Sequence, residues 1–310
     1  MEKMPFISKN EPCAKGYDDR QSRLAEEVAF HRVIESFRPE CDRICNDPYA
    51  IRFLGNDLKK YLEFCAGNPE EARKRAEQIN RIFPGVQNSI IARVRYFDDF
   101  IKEATGVGLE QLVILGAGYD TRAYRIDGIK ENVKVFEIDY PDTQSRKTAI
   151  IRDIFSTLPE HVTYLPIDVE EKNFARQLEE SGYSGQKKTL FVLEGLTYYI
   201  DEAAVKTIFS FIVHNSMKGS SILFDYLPES VIDGTCPQDV ARNMRARAME
   251  YGEVFRFGIL EGTICSFLEK EGFCNVHNVT CADLKTCYFH GNNANRQLCD
   301  LFAFASAEVP

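Results

Sequence analysis

Apolar residues along this chain change their period near residue 109. Before it, Ile90, Ile91, Val94, Phe97, Phe100 and Ile101 recur at three- and four-residue spacing and make one stripe, as on a helix with one buried face. Asn68-Pro69-Glu70-Glu71 has the form of a helix start, with a capping side chain, proline at the first helical position and acids in the first turn. Pro84-Gly85 ends that helix and Gly106-Val107-Gly108 ends the next. Beyond residue 109 the apolar residues come in short runs, at 111–115, 135–139, 161–168, 189–195 and 221–226, separated by helical stretches. Short unbroken runs are the mark of strands buried on both faces, and their alternation with helices predicts a doubly wound, mostly parallel α/β sheet. A helix at 263–271 and strands at 274–279 and 301–306 bring the predicted sheet to seven strands. The chain therefore divides into an amino-terminal helical cap, 1–108, and an α/β domain, 109–310. Residues 228–258, with Met244, Met249, Tyr251, Phe255 and Phe257 among arginines, fit poorly as another strand–helix unit; an inserted helical lid or a packing helix is expected there.

Four successive strand ends carry Asp139, Asp168, Glu194 and Asp225, on the edge where open α/β sheets bind ligands. The first strand runs into Gly116-Ala117-Gly118, which allows close approach of a ligand to the backbone, and Asp139 lies about 20 residues on, where such folds place the acid that accepts ribose hydroxyls. An adenosine-type ligand follows. A dinucleotide fingerprint needs a third small residue where Thr121 stands, and Asp120 before it would repel a pyrophosphate. S-adenosylmethionine has a sulfonium and an ammonium and no phosphate, so it is preferred to NAD. A nicotinamide-dependent oxidoreductase is the second enzyme class these strand ends allow.

Composition narrows the class. Of 310 residues, 44% are hydrophobic and 27% charged, an ordinary globular balance, and no apolar run approaches the roughly 18–20 residues of a membrane span. Residues 1–20 are polar and lack the apolar core of a secretion signal, so a cytoplasmic protein is expected. The net charge of −9 argues against nucleic acid, and the basic clusters at Arg73-Lys74-Arg75 and 242–247 read as solvated helix faces. Ten cysteines without a signal suggest free thiols in a reducing compartment. Cys41 with Cys45, and Cys281 with Cys287 near His290, lack the paired spacing of zinc ribbons; no metal is expected, and each of the five histidines reads as a surface or satisfied core residue.

The residues together resemble the leucine carboxyl methyltransferase family, class I S-adenosylmethionine enzymes that include small-molecule O-methyltransferases. The likeness runs through Asn46-Asp47-Pro48-Tyr49, Ala92-Arg93-Val94, Leu115-Gly116-Ala117-Gly118-Tyr119-Asp120-Thr121, Phe136-Glu137-Ile138-Asp139-Tyr140-Pro141 and Leu193-Glu194-Gly195-Leu196-Thr197-Tyr198-Tyr199. It implies a Rossmann-like fold in which Gly116, Ala117 and Gly118 give the cofactor backbone access and Asp139 takes its ribose. It also implies that Asp168 and the Val169 backbone hold adenine, and that Arg93 pairs with the methionine carboxylate. Glu194 would face the ammonium or line the site, and Tyr199 and Tyr226 would stand near the acceptor. Glu194, Tyr199 and Tyr226 are thus the candidates for the catalytic side of the site.

Methyl transfer from a sulfonium chiefly requires placement. A carboxylate acceptor needs no base, whereas a phenol or alcohol does, and no histidine sits at a strand end. The expected acceptor is a small carboxylic acid giving a methyl ester, held by Arg93, Arg245 or Arg256, with a phenolic hydroxyl second. Methylation of a protein carboxy terminus and cofactor binding without turnover are two further readings. A monomer or homodimer is expected.

Overall fold

The computed structural model describes residues 21–171 and 173–310. The stretch read above for a secretion signal, 1–20, lies outside the described residues. Seven strands form one sheet: β1 (Gln111–Leu115), β2 (Lys134–Asp139), β3 (Val162–Pro166), β4 (Thr189–Leu193), β5 (Ser221–Tyr226), β6 (Cys274–Thr280) and β7 (Ala303–Glu308). Their order is β3-β2-β1-β4-β5-β7-β6; the first five are parallel and β7 runs antiparallel to both neighbours. Chain order reverses between β1 and β4, which opens a crevice at their carboxyl ends.

The ends of two strands differ from expectation. β3 stops at Pro166, two residues before Asp168, although the Ile167 amide still donates to the Asp139 carbonyl at 2.9 Å. β4 stops at Leu193, because Gly195 turns the chain with a left-handed φ of 67°.

Each strand divides its side chains between two cores. Leu112, Ile114, Val192 and Leu223 face a core shared with Ile91, Val94, Phe97 and Ile101. Val113, Leu115, Phe191 and Phe224 face the other, shared with Val205, Ile208 and Phe209 of helix Glu202–Asn215. Burial of each such side chain contributes roughly 1.5–3 kcal/mol.

The amino-terminal region is helical: α1 (Gln21–Ser36), α2 (Asn56–Gly67), α3 (Pro69–Ile82) and α4 (Val86–Gly106). α3 begins at the proline read from the sequence, and α4 carries the predicted stripe inward. Between β5 and β6 the inserted segment folds as helices Glu229–Asp233 and Asp239–Glu250, the second resting on α3. Among the described residues no helix is long and apolar enough to cross a membrane, and no group of three or more His, Cys, Asp or Glu side chains is placed to hold a metal.

Candidate active site

A cavity of about 560 Å³ lies at the carboxyl ends of β1, β2 and β4, walled on its far side by α1, α3, α4 and residues 244–256. Its floor is the glycine turn. Gly116 and Gly118 have φ of 66° and 42°, a region that side chains resist. A Cβ on Gly116 would also come within 3.1 Å of Leu196. The Ala117 amide donates to the Ile138 carbonyl at 2.9 Å, tying the turn to β2. Asp139 accepts the Gly118 amide at 2.5 Å on Oδ2 and the Tyr140 amide at 2.7 Å on Oδ1. Burial raises the pKa of Asp139 and the two amides oppose that rise. On the same strand, Glu137 is fully buried in an ion pair with Lys147 at 2.8 Å, and burial pushes its carboxyl up to about 7 against the pull of that ammonium.

Around the turn runs a chain of buried charge. Arg93 of α4 donates to Glu194 at 2.9 Å and to Asp225 at 2.6 Å, and Asp225 also accepts the Gly195 amide at 2.6 Å. Arg122 pairs with Glu194 and Asp120, each at 2.5 Å, and with Asp98 at 2.7 Å. Arg125 continues from Asp98 to the Thr121 hydroxyl, which donates to Asp47 at 2.6 Å. Arg32 closes the chain on Asp47 at 2.9 Å and on the Tyr119 carbonyl at 2.6 Å. Burial pushes the Asp120 carboxyl up, but Arg122 outweighs it and holds the group down at about 2. Thr121 therefore stands where a dinucleotide turn has a small residue because its hydroxyl joins the turn to the cap. The same network explains Asp47, whose other oxygen accepts the Tyr49 and Ala50 amides.

Four arginines in this chain, 32, 93, 122 and 125, meet five carboxylates, Asp47, Asp98, Asp120, Glu194 and Asp225. The surplus is one negative charge, with Asp139 beside it. That surplus, with two glycines and a ribose-type acid, fits a cationic adenosyl ligand such as S-adenosylmethionine and disfavours a pyrophosphate.

Gly116, Ala117, Gly118, Arg93, Asp139, Val169, Glu194 and Tyr199 all line the cavity. Asp168 does not: its carboxylate accepts the Glu170 amide at 2.9 Å, while its neighbours Ile167 and Val169 are in the lining. Tyr226 does not either, which corrects its placement near the acceptor. Strand alternation turns Asp225 towards α4 and Tyr226 to the opposite core, where its hydroxyl donates to Asn278 at 3.0 Å. Tyr198, which the sequence does not single out from Tyr199, donates to Asp225 at 3.1 Å and accepts from Arg93 at 3.2 Å. Sequence reasoning also misses Arg122 and Asp98; the arginine's place directly after Asp120-Thr121 is the signal that points to it. His31, read as a surface or core residue, lines the cavity.

The leucine carboxyl methyltransferase family model matches residues 25–213. The "Putative S-adenosyl-L-methionine-dependent methyltransferase YktD" of Bacillus subtilis is 27% identical over 79% of this chain and 78% of its own length. A relative of Mycolicibacterium paratuberculosis, named "Putative S-adenosyl-L-methionine-dependent methyltransferase", is 30% identical over 66% of this chain and 73% of its own. The fold is shared with a solved DUF574 family protein of Streptomyces avermitilis, with a TM-score of 0.60, 13% identity, and coverage of 95% of this chain and 100% of that one.

Proposed function

The chain belongs to the leucine carboxyl methyltransferase family and is an S-adenosylmethionine-dependent methyltransferase; from that premise we propose that it methylates an oxygen of a small molecule held in the same cavity. The observation that carries the reading is the contrast within one space. The sheet side has the glycine turn and a surplus carboxylate, whereas Ile79, Phe83, Ile90, Met244, Phe255 and Phe302 give the far side an apolar patch, set among polar side chains such as His31, Asn80 and Gln87.

In this reading Asp139 accepts the ribose hydroxyls with lone pairs not used by the two amides, and Gly116 and Gly118 admit the ligand against the backbone. Arg93 holds the methionine carboxylate through Nη2, which makes no hydrogen bond among the described residues, while Nε and Nη1 are fixed by Glu194, Asp225 and Tyr198. Glu194 faces the ammonium, and Val169 lies beside adenine with Asp168 behind it. When bound, S-adenosylmethionine supplies a methyl group already activated by its sulfonium, so these residues orient rather than activate. Tyr199, packed among Tyr198 and Phe255, forms part of the acceptor wall.

The acceptor read from the sequence is a carboxylate, which requires a cation to hold it. The guanidiniums expected to do so are committed: Arg93 to two acids and Arg256 to Glu170 at 2.5 Å, while Arg245 is absent from the lining. A hydroxyl acceptor is the second reading, and His31 favours it. Incubation with S-adenosylmethionine and a panel of small acids and phenols, with mass spectrometry of the products, tests the assignment. Product one methylene heavier, convertible to the parent by ester or ether cleavage, is expected. Methylation on nitrogen or carbon alone would overturn it.

A further inference from the structure

We propose that His31 of α1 takes the proton from a hydroxyl on a largely apolar acceptor, so that the product is an ether rather than an ester. The inference rests on the O-methyl reading above and names its acceptor class.

Three observations converge. His31 lines the cavity and makes no hydrogen bond through either ring nitrogen among the described residues; Nδ1 is shielded from solvent, which leaves Nε2 as the nitrogen that an acceptor can meet. A ligand hydroxyl on Nε2 would give the imidazole a hydrogen bond it lacks. Secondly, the charged groups acting on the imidazole leave it a base. Burial lowers its pKa most, Glu27 one turn earlier on α1 opposes that, and Arg93 of α4 lowers it further. α1 packs on α4, the turn Ala50–Phe53 and the helix Pro141–Phe155, and its Glu27 also meets Arg247 of helix Asp239–Glu250; among the described residues the charged groups that act on the ring are Glu27 and Arg93. Glu27 is itself paired with Arg247 at 3.7 Å. The ring is thus neutral at neutral pH and able to accept a proton.

Thirdly, each arginine in the lining already has a carboxylate: Arg32 has Asp47, Arg93 has Glu194 and Asp225, Arg122 has Asp98 and Asp120, Arg247 has Glu27 and Glu250, and Arg256 has Glu170. With Arg93 Nη2 given to the methionine carboxylate, an anionic acceptor would have to compete with one of these acids for its guanidinium. A neutral hydroxyl has no such requirement, and the apolar wall suits the body of an aromatic or aliphatic alcohol. The step balances: the acceptor oxygen forms the new C–O bond, the C–S bond breaks with its electron pair left on sulfur, and the hydroxyl proton passes to the imidazole and then to solvent.

The test uses 2-naphthol and 2-naphthoic acid, which share one ring system and differ in the nucleophile. In protein loaded with S-adenosylhomocysteine, 2-naphthol is expected to shift the NMR resonances of the His31 imidazole, a readout that needs no turnover. With S-adenosylmethionine, 2-naphthol is expected to be methylated, at a rate that rises with pH through the titration of His31 and is flat above it. His31→Asn should bind S-adenosylhomocysteine within two-fold of wild type, lose about 10²–10⁴ in 2-naphthol turnover, and lose the acid limb of the pH profile. Turnover of 2-naphthoic acid alone, an unshifted imidazole, or a His31→Asn rate equal to wild type would each overturn the proposal. Failure of S-adenosylhomocysteine to bind wild type would instead remove the methyltransferase premise, and the proposal with it.

Discussion

The two sides of the cavity solve different problems. On the sheet side each functional group is fixed several times over: Arg93 has three partners, Asp139 holds two amides, and the glycine turn is tied to β2. On the cap side Ile79, Phe83, Ile90, Met244 and Phe255 form an apolar patch set among polar side chains such as Glu27, Asn80 and Gln87, and the one histidine there has a ring nitrogen with no hydrogen bond among the described residues. A preformed polar network suits a ligand that is the same at every turnover, because its geometry is held before binding. An apolar patch beside an unpaired imidazole suits a ligand recognised by shape and by one reacting atom. Cofactor and acceptor recognition should therefore be separable by mutation.

The largest effect should come from breaking the sheet-side network. Arg93→Ala leaves Glu194 and Asp225 buried without their cation and should cost about 3–5 kcal/mol of stability, read by denaturant unfolding. Arg93→Lys should regain part of that stability, yet not cofactor affinity, since an ammonium lacks the guanidinium fork. A wild-type-like unfolding curve for Arg93→Ala would dissolve the distinction between the two sides. Next, Asp139→Ala removes charge-assisted hydrogen bonds of about 1.5–3 kcal/mol, so calorimetry should show S-adenosylhomocysteine affinity falling roughly 10- to 150-fold.

On the cap side, Ile79→Ala should raise the acceptor KM by about ten-fold, from a loss of the order of 1–3 kcal/mol in a hydrophobic pocket, with cofactor affinity unchanged. A drop in cofactor affinity of the same size would merge the two walls into one. The smallest effect is expected at Tyr226→Phe. It loses the bond to Asn278, about 0.5–1.5 kcal/mol of stability, and should leave ligand affinity alone because the side chain lies across the sheet from the cavity.

Legibility from sequence follows the same division. Strand ends and the glycine turn are readable because period, glycine and a terminal acid are local signals; Asp139 and Glu194 come directly from them. Asp225 is visible as a strand-end acid, but its partner in α4 is not, since that pairing spans 132 positions. Tyr226 is misplaced when the two-residue alternation that separates it from Asp225 is neglected. β3 and β4 read too long because the sequence reading carries each strand on to its terminal acid or glycine, Asp168 and Glu194-Gly195, which lie past the last strand residue. His31 is invisible because no local pattern distinguishes a helical histidine facing a cavity from one facing solvent. Its position depends on how α1 is docked, through Arg32, Asp47 and Thr121, onto the turn it helps to cover.

Calorimetric titration with S-adenosylhomocysteine of the wild type, Asp139→Ala and His31→Asn, side by side, tests the separation of the two walls most directly. The account predicts a loss of one to two orders of magnitude for Asp139→Ala and no more than a two-fold change for His31→Asn. Equal losses in both variants, or a larger loss at His31, would contradict it.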